Sequence, residues 1–117
     1  MQKDDRIYLL FIQECIRRVE ENSALGLEAF RTSHTLQDAT LRNLQTMTQA
    51  TQRLSEALRS QFPDVEWQRL GAFRNILVHG YLGIDLDRVW EIVQGDVPHL
   101  KHVVLRMLES IGTPKET

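Results

Sequence analysis

The sequence predicts an all-α fold: an antiparallel helical bundle of four main helices plus one short extra helix. Three observations carry that prediction. Apolar residues recur at three- and four-residue spacing through most of the chain. No stretch alternates with period two for long enough to make a strand. Glycine and proline fall between the periodic runs, where helices stop and restart.

The 117 residues fit a single domain spanning residues 1–117, with residues 112–117 expected as a frayed tail. A net charge of -2 argues against gripping nucleic acid through overall charge, so any such contact needs a local basic patch. The single cysteine, Cys15, rules out an internal disulfide framework and suits a reducing cytoplasm. No apolar run approaches the roughly 18–20 residues of a membrane span, and Gln2 to Arg6 do not build a signal peptide. A soluble, cytoplasmic protein is expected.

Asp4 or Asp5 is expected to cap a first helix, where acids suit the positive end of the dipole. Tyr8, Phe11, Ile12, Cys15, Ile16 and Val19 give it an apolar stripe of about four turns. Cys15 lies within that stripe and reads as a small buried residue. Residues 22–33 read as a connection with helical turns, Leu25, Leu27 and Phe30 packing down around the interruption at Gly26. A second, unbroken helix is expected from about Thr35 to Arg59, roughly 37 Å long at 1.5 Å per residue. Thr40 and Asn43 sit on its inward seam, either satisfied inside the bundle or marking a subunit contact.

Pro63 and Asp64 suit the start of a third helix. Trp67, Leu70, Phe73 and Leu77 give it a buried face, and Gly80 offers a C-cap directly after His79. Asp85 or Asp87 caps a short fourth helix with the stripe Leu86, Val89, Trp90 and Val93. Gly95 is expected to end it. Asp96 and Pro98 then restart the chain into a last helix striped by Leu100, Val103, Val104, Met107, Leu108 and Ile111.

The stretch W-Q-R-L-G-A-F-R-N-I-L-V-H-G-Y, from Trp67 to Tyr81, carries the chemistry. Arg74, Asn75, His79 and Tyr81 crowd the end of an otherwise apolar helix, where packing gives no reason for them. Asn75 and His79 are four apart and share a face. Arg74 and His79 are five apart, about 140° around the axis, and are awkward partners within one straight helix. Two copies across a two-fold axis would place two Arg and two His around one cleft. That set suits cleavage of a phosphodiester with a neighbouring hydroxyl: histidine moves a proton near neutral pH, and arginine complements charge on the phosphorane oxygens. Asn75 would support either the ring or the phosphate. On residue types alone, capping of carbonyls or pairing with acids competes with this chemistry.

R-N-I-L-V-H-G-Y, with Trp67 seven residues before the Arg and L-G-I-D-L-D-R-V-W-E-I after the Tyr, closely resembles the HEPN-domain toxins of the HepT type. Arg74, His79 and Tyr81 match their signature of Arg, four residues, His, one residue and Tyr. The resemblance runs from about Leu36 to Leu100. It implies a helical bundle that dimerises, with both motifs lining a shared cleft. It further implies a metal-independent ribonuclease toxin, with Arg74 and His79 catalytic, Asn75 supporting, and no metal or cofactor of its own. The implied partner is a minimal nucleotidyltransferase antitoxin of the MntA type. That partner transfers AMP from ATP to the motif tyrosine, here Tyr81. One departure is M-T-Q-A-T at Met47 to Thr51, where such proteins often carry Gly-Glu-Ala, and it bears on the dimer contact or the cleft's charge.

Two other readings stay open. The motif can grip a nucleotide or phosphate without catalysis, in a helical module that regulates a neighbouring nucleotidyltransferase. The chain can also be a structural partner whose helix faces assemble a complex. Among lesser candidates, His99 and His102 lie three apart but lack a third metal ligand. Trp67 and Trp90 can stack bases, yet both lie on apolar stripes. Arg42, Arg53 and Arg59 can extend a phosphate track, or simply face solvent. His34 has no evident partner.

Overall fold

Leu9, Ile12, Ile16 and Val19 are shut away from solvent on one face of α1 (Gln2–Ser23), and this face is where the bundle closes. The computed structural model describes residues 2–67 and 85–112. Those residues form helices and connections, with no strand among them. After α1 come α2 (Leu27–Thr32), α3 (His34–Gln52), α4 (Glu56–Ser60), α5 (Leu86–Glu91) and α6 (Val97–Ile111), with a π-helical turn at Ile92–Asp96. The fold is all-α, as the periodicity predicts. α1 packs most extensively on α3 and next on α6. Leu44 and Met47 from α3, Val103, Val104 and Met107 from α6, and Phe30 from α2 complete the core.

Several expectations are corrected. α1 runs 22 residues, about six turns and not four. Asp4 and Asp5 lie inside its first turn and do not precede it as caps. Its buried stripe includes Leu9, which the sequence reading passed over, whereas Phe11 is 46% exposed. The connection to α2 turns at Gly26, whose φ of 97° suits a residue without a Cβ.

The predicted spine from Thr35 to Arg59 is broken. α3 ends at Gln52, and Ser55 starts α4 as its N-cap, its hydroxyl accepting from the Leu58 N–H at 3.1 Å. The cause is distant in sequence. The buried Asp5 carboxylate accepts the Ser55 N–H at 2.7 Å and the Ser55 hydroxyl at 2.6 Å. A backbone N–H committed to a carboxylate is withdrawn from the helix ladder, so the helix stops and restarts there.

The polar seam of α3 is satisfied from within. The Asn43 amide donates to the Ala39 carbonyl at 2.8 Å, Thr48 to Leu44 at 2.8 Å, and Thr51 to Thr48 at 2.6 Å. Thr40 is 2% exposed in the isolated chain, so it is no surface for a subunit contact.

Pro63 and Asp64 form a turn, with helical backbone next at Trp67, so the expected helix start shifts past them. Gly95 does not end a helix. It lies within the π turn, where the Val97 N–H reaches back five residues to the Ile92 carbonyl. Pro98 has no N–H to donate, and the wider turn carries the helix across that gap without a break. Gly112 caps α6 at φ 75°, and its carbonyl accepts from Arg6 Nη1 at 3.0 Å, whereas the rest of the expected tail lies outside the described residues. Among the described residues no helix is long and apolar enough to cross a membrane.

Candidate active site

Two anchors hold the ends of the segment that carries the Arg–His motif. On the entering side, Phe62 and Val65 are buried, and Trp67 packs on the core while its indole N–H donates to the Phe62 carbonyl at 3.3 Å. The Arg106 guanidinium lies 5.1 Å from the centre of the Phe62 ring and pairs with Asp64 at 3.3 Å, tying this turn to α6. On the leaving side, Asp85 is the N-cap of α5 and accepts from the Arg88 N–H at 3.2 Å, one of the two capping residues the sequence offered. Asp87 instead pairs with Arg31 of α2 at 2.8 Å. Arg74, Asn75, His79 and Tyr81 lie between these anchors and outside the described residues, as do Leu70, Phe73, Leu77 and Gly80.

The lesser candidates sort themselves by burial. Trp90 packs against Phe30 with ring centres 5.4 Å apart, and Trp67 packs on the same core, so both tryptophans are structural. His34, His99 and His102 are exposed, and no group of His, Cys, Asp and Glu suited to a metal stands among the described residues. Cys15 is buried, and that burial pushes its thiol up from the usual value, which keeps it protonated and inert. Hydrogen bonds from Arg17, then Arg18, hold the exposed Glu14 carboxyl down from 4.5 to about 2.

One feature escaped the sequence reading. A groove of about 670 Å³ runs between α1 and α3, with Tyr8 and Phe11 on one wall and Thr46, Gln49, Gln52 and Arg53 on the other. The available signal was a second apolar strip on α1: Ile7, Leu10 and Phe11 repeat at three and four residues beside the buried stripe, and all three are exposed.

The frame from α1 to α6 matches a known family. The profile described as ribonuclease HepT-like covers residues 12–107, from the buried Ile12 to the buried Met107. The chain belongs to the HepT-like ribonuclease family. The HepT-like span includes Arg74, Asn75, His79 and Tyr81. The chain is similar to a Methanocaldococcus jannaschii protein named "Gamma-glutamylcyclotransferase and putative RNase", at 35% identity over 98% of this chain and 52% of that protein. It therefore spans about half the length of that relative. A second protein of the same organism, named "Putative RNase", is 32% identical over 88% of this chain and 95% of its own length. "Probable ribonuclease HepT" of Thermococcus cleftensis is 28% identical over 86% of this chain and 93% of its own length. No solved structure gives a significant match.

Proposed function

We propose that the chain is a metal-independent endoribonuclease, the toxin of a toxin–antitoxin pair, acting as a homodimer in the cytoplasm. The observation that carries this reading is membership of the HepT-like ribonuclease family over a span that contains Arg74, His79 and Tyr81 in the signature spacing. The RNA 2′-hydroxyl is the nucleophile. His79 takes its proton as the 2′-oxygen bonds to phosphorus and returns it to O5′ as the P–O5′ bond breaks, which leaves a 2′,3′-cyclic phosphate and a 5′-hydroxyl. Arg74 holds the phosphorane oxygens with its planar fork, and Asn75 orients the ring or the phosphate. Arg74 and His79 from both protomers share the cleft, which overcomes their awkward spacing on one helix.

Tyr81 is the switch in this reading. Its phenol attacks the α-phosphorus of ATP held by an MntA-like nucleotidyltransferase, and pyrophosphate leaves. An AMP on Tyr81, two residues from His79, sets negative charge and bulk where the RNA phosphate must sit. Intact-mass spectra of the protein made alone and beside such a nucleotidyltransferase, with RNA cleavage assayed on both, test the proposal. The expected result is AMP-sized mass increments on Tyr81, with cleavage confined to the unmodified sample and abolished by His79→Ala. A folded protein that never cuts RNA in either sample would point instead to a non-catalytic module that regulates the nucleotidyltransferase.

A further inference from the structure

Arg42 of α3 and Arg53, the residue that caps its C-terminus, stand apart from the other described basic side chains. Arg17, Arg18, Arg31, Arg88, Lys101 and Arg106 each meet an acid, and Arg6 gives its hydrogen bond to the Gly112 carbonyl. Arg42 and Arg53 are exposed and have no acid partner among the described residues. Arg59 of α4 also lacks one, but its Nε is sealed from solvent and it lines no part of the groove. Residues 42, 46, 49 and 53 follow four-three-four spacing, and the C-cap Arg53 keeps αR backbone, so Arg42 and Arg53 continue one stripe, about 16 Å apart along the axis. The last three of those positions line the α1–α3 groove.

We propose that this groove binds single-stranded RNA, a base stacking on Phe11 and Tyr8 while Arg42 and Arg53 hold the backbone on either side. The proposal rests on the ribonuclease reading and supplies that site with a substrate track. The groove's lining carries one cation and no acid. Glu14, one turn beyond Phe11, is held by Arg17 at 2.7 Å and Arg18 at 3.0 Å, so its charge is neutralised locally. Asp38 and Glu56 are exposed and lie outside the groove. Gln49, Gln52 and the Thr46 hydroxyl both donate and accept, which suits base edges of any identity. Aromatic faces beside a cation are how strands are held without regard to sequence. The volume lies within the about 300–1,000 Å³ typical of ligand sites. The exposed Ile7 and Leu10 beside the groove make a second copy of the chain the competing occupant. A two-fold contact of this face with itself, however, would bring Arg53 against a lining without acids, and that favours RNA.

Fluorescence anisotropy with a labelled 2′-O-methyl oligoribonucleotide reads binding alone, since the probe has no free hydroxyl to attack its own backbone. Phe11→Ala is expected to weaken binding by about 5- to 150-fold, the worth of one stacked base. Arg42→Gln and Arg53→Gln are each expected to flatten the salt slope by about 0.7. Lys101→Gln, on an exposed lysine paired with Glu20 and outside the groove, should bind as wild type. All four side chains are exposed, so folding should survive, checked by circular dichroism. Wild-type affinity and slope in Phe11→Ala, Arg42→Gln and Arg53→Gln would overturn the proposal. So would a Phe11→Ala that halves the sedimenting mass with affinity unchanged, which would make the face a subunit interface. A wild type that binds the probe through these residues but cleaves no RNA would keep the groove and overturn the ribonuclease reading alone.

Discussion

Asp5 carries a carboxylate that is 4% exposed and takes two hydrogen bonds from Ser55, fifty residues away. Hydrogen bonds to a charged group are worth about 1.5–3 kcal/mol, and buried donors left unpaired cost about as much. Asp5→Ala is therefore expected to lower stability by about 2–4 kcal/mol. The check is a lower urea midpoint at unchanged slope. Ser55→Ala, which removes the cap but leaves its N–H for Asp5, should cost about 1–2 kcal/mol. Glu14 gives the opposite lesson. Its carboxyl is held down to about 2 by Arg17 and then Arg18, so any stability it lends is present above 4.5 and lost as the pH falls toward 2. The side chain is open to solvent, which screens the pair, so the effect belongs to the titration more than to the fold. Carbon NMR should place the Glu14 midpoint near 2, and Arg17→Gln should raise it. Residue chemistry was legible in the sequence where it was local. Arg74, Asn75, His79 and Tyr81 stand out by type and spacing within one stretch, and they lie outside the described residues. Asp5 did not, because its partner is remote and an acid near a chain start reads first as a helix cap.

At the scale of elements, periodicity located α1, α3, α5 and α6, read α2 only as helical turns in a connection, and misjudged three junctions, at Gln52, at Pro63 and at Gly95. Nothing between Thr35 and Arg59 is glycine or proline, so the only local mark of the break was Ser55 before Glu56, a cap followed by an acid. The Asp5 carboxylate reinforces it from a distance. Gly95 erred the other way. A glycine before Asp96 and Pro98 reads as a helix end, yet Gly95 and Asp96 lie inside a π turn and Pro98 in the first turn of α6, with no break between them. Gly95 does not need its freedom there: its φ is negative and a Cβ would meet nothing within 4 Å. Gly95→Ala should therefore stabilise the protein by about 0.4–1 kcal/mol, chiefly by restricting the unfolded chain. Gly112→Ala should destabilise it, because φ 75° is strained for any residue with a side chain. Thermal melts of the two variants should move in opposite directions.

Over the whole molecule, one core joins the first helix to the last. Ile16 of α1, Met47 of α3 and Val104 of α6 are each 1% exposed within a single cluster. Native-state hydrogen exchange should accordingly show the protected amides of α1, α3 and α6 opening at a common free energy. A markedly weaker α6 would mean that the core is divided. The all-α class was legible at this scale because three- and four-residue spacing survives any arrangement of the helices. Which helices touch was not, since α1 and α6 are neighbours only through the folded chain. The exposed strip of Ile7, Leu10 and Phe11 was hidden for a related reason: on a helix with two apolar strips, spacing alone does not say which one is covered.

The bond from Arg6 to the Gly112 carbonyl joins residues 106 positions apart. A ribosome adding about 5–20 residues per second takes roughly 5–20 s to make the chain between them. Through that interval α1 has been synthesised while the α6 surface that packs on it has not. Final closure therefore belongs to the moment after the last helix emerges. Until then the nascent chain presents a greasy first helix to chaperones and to its neighbours on the same message.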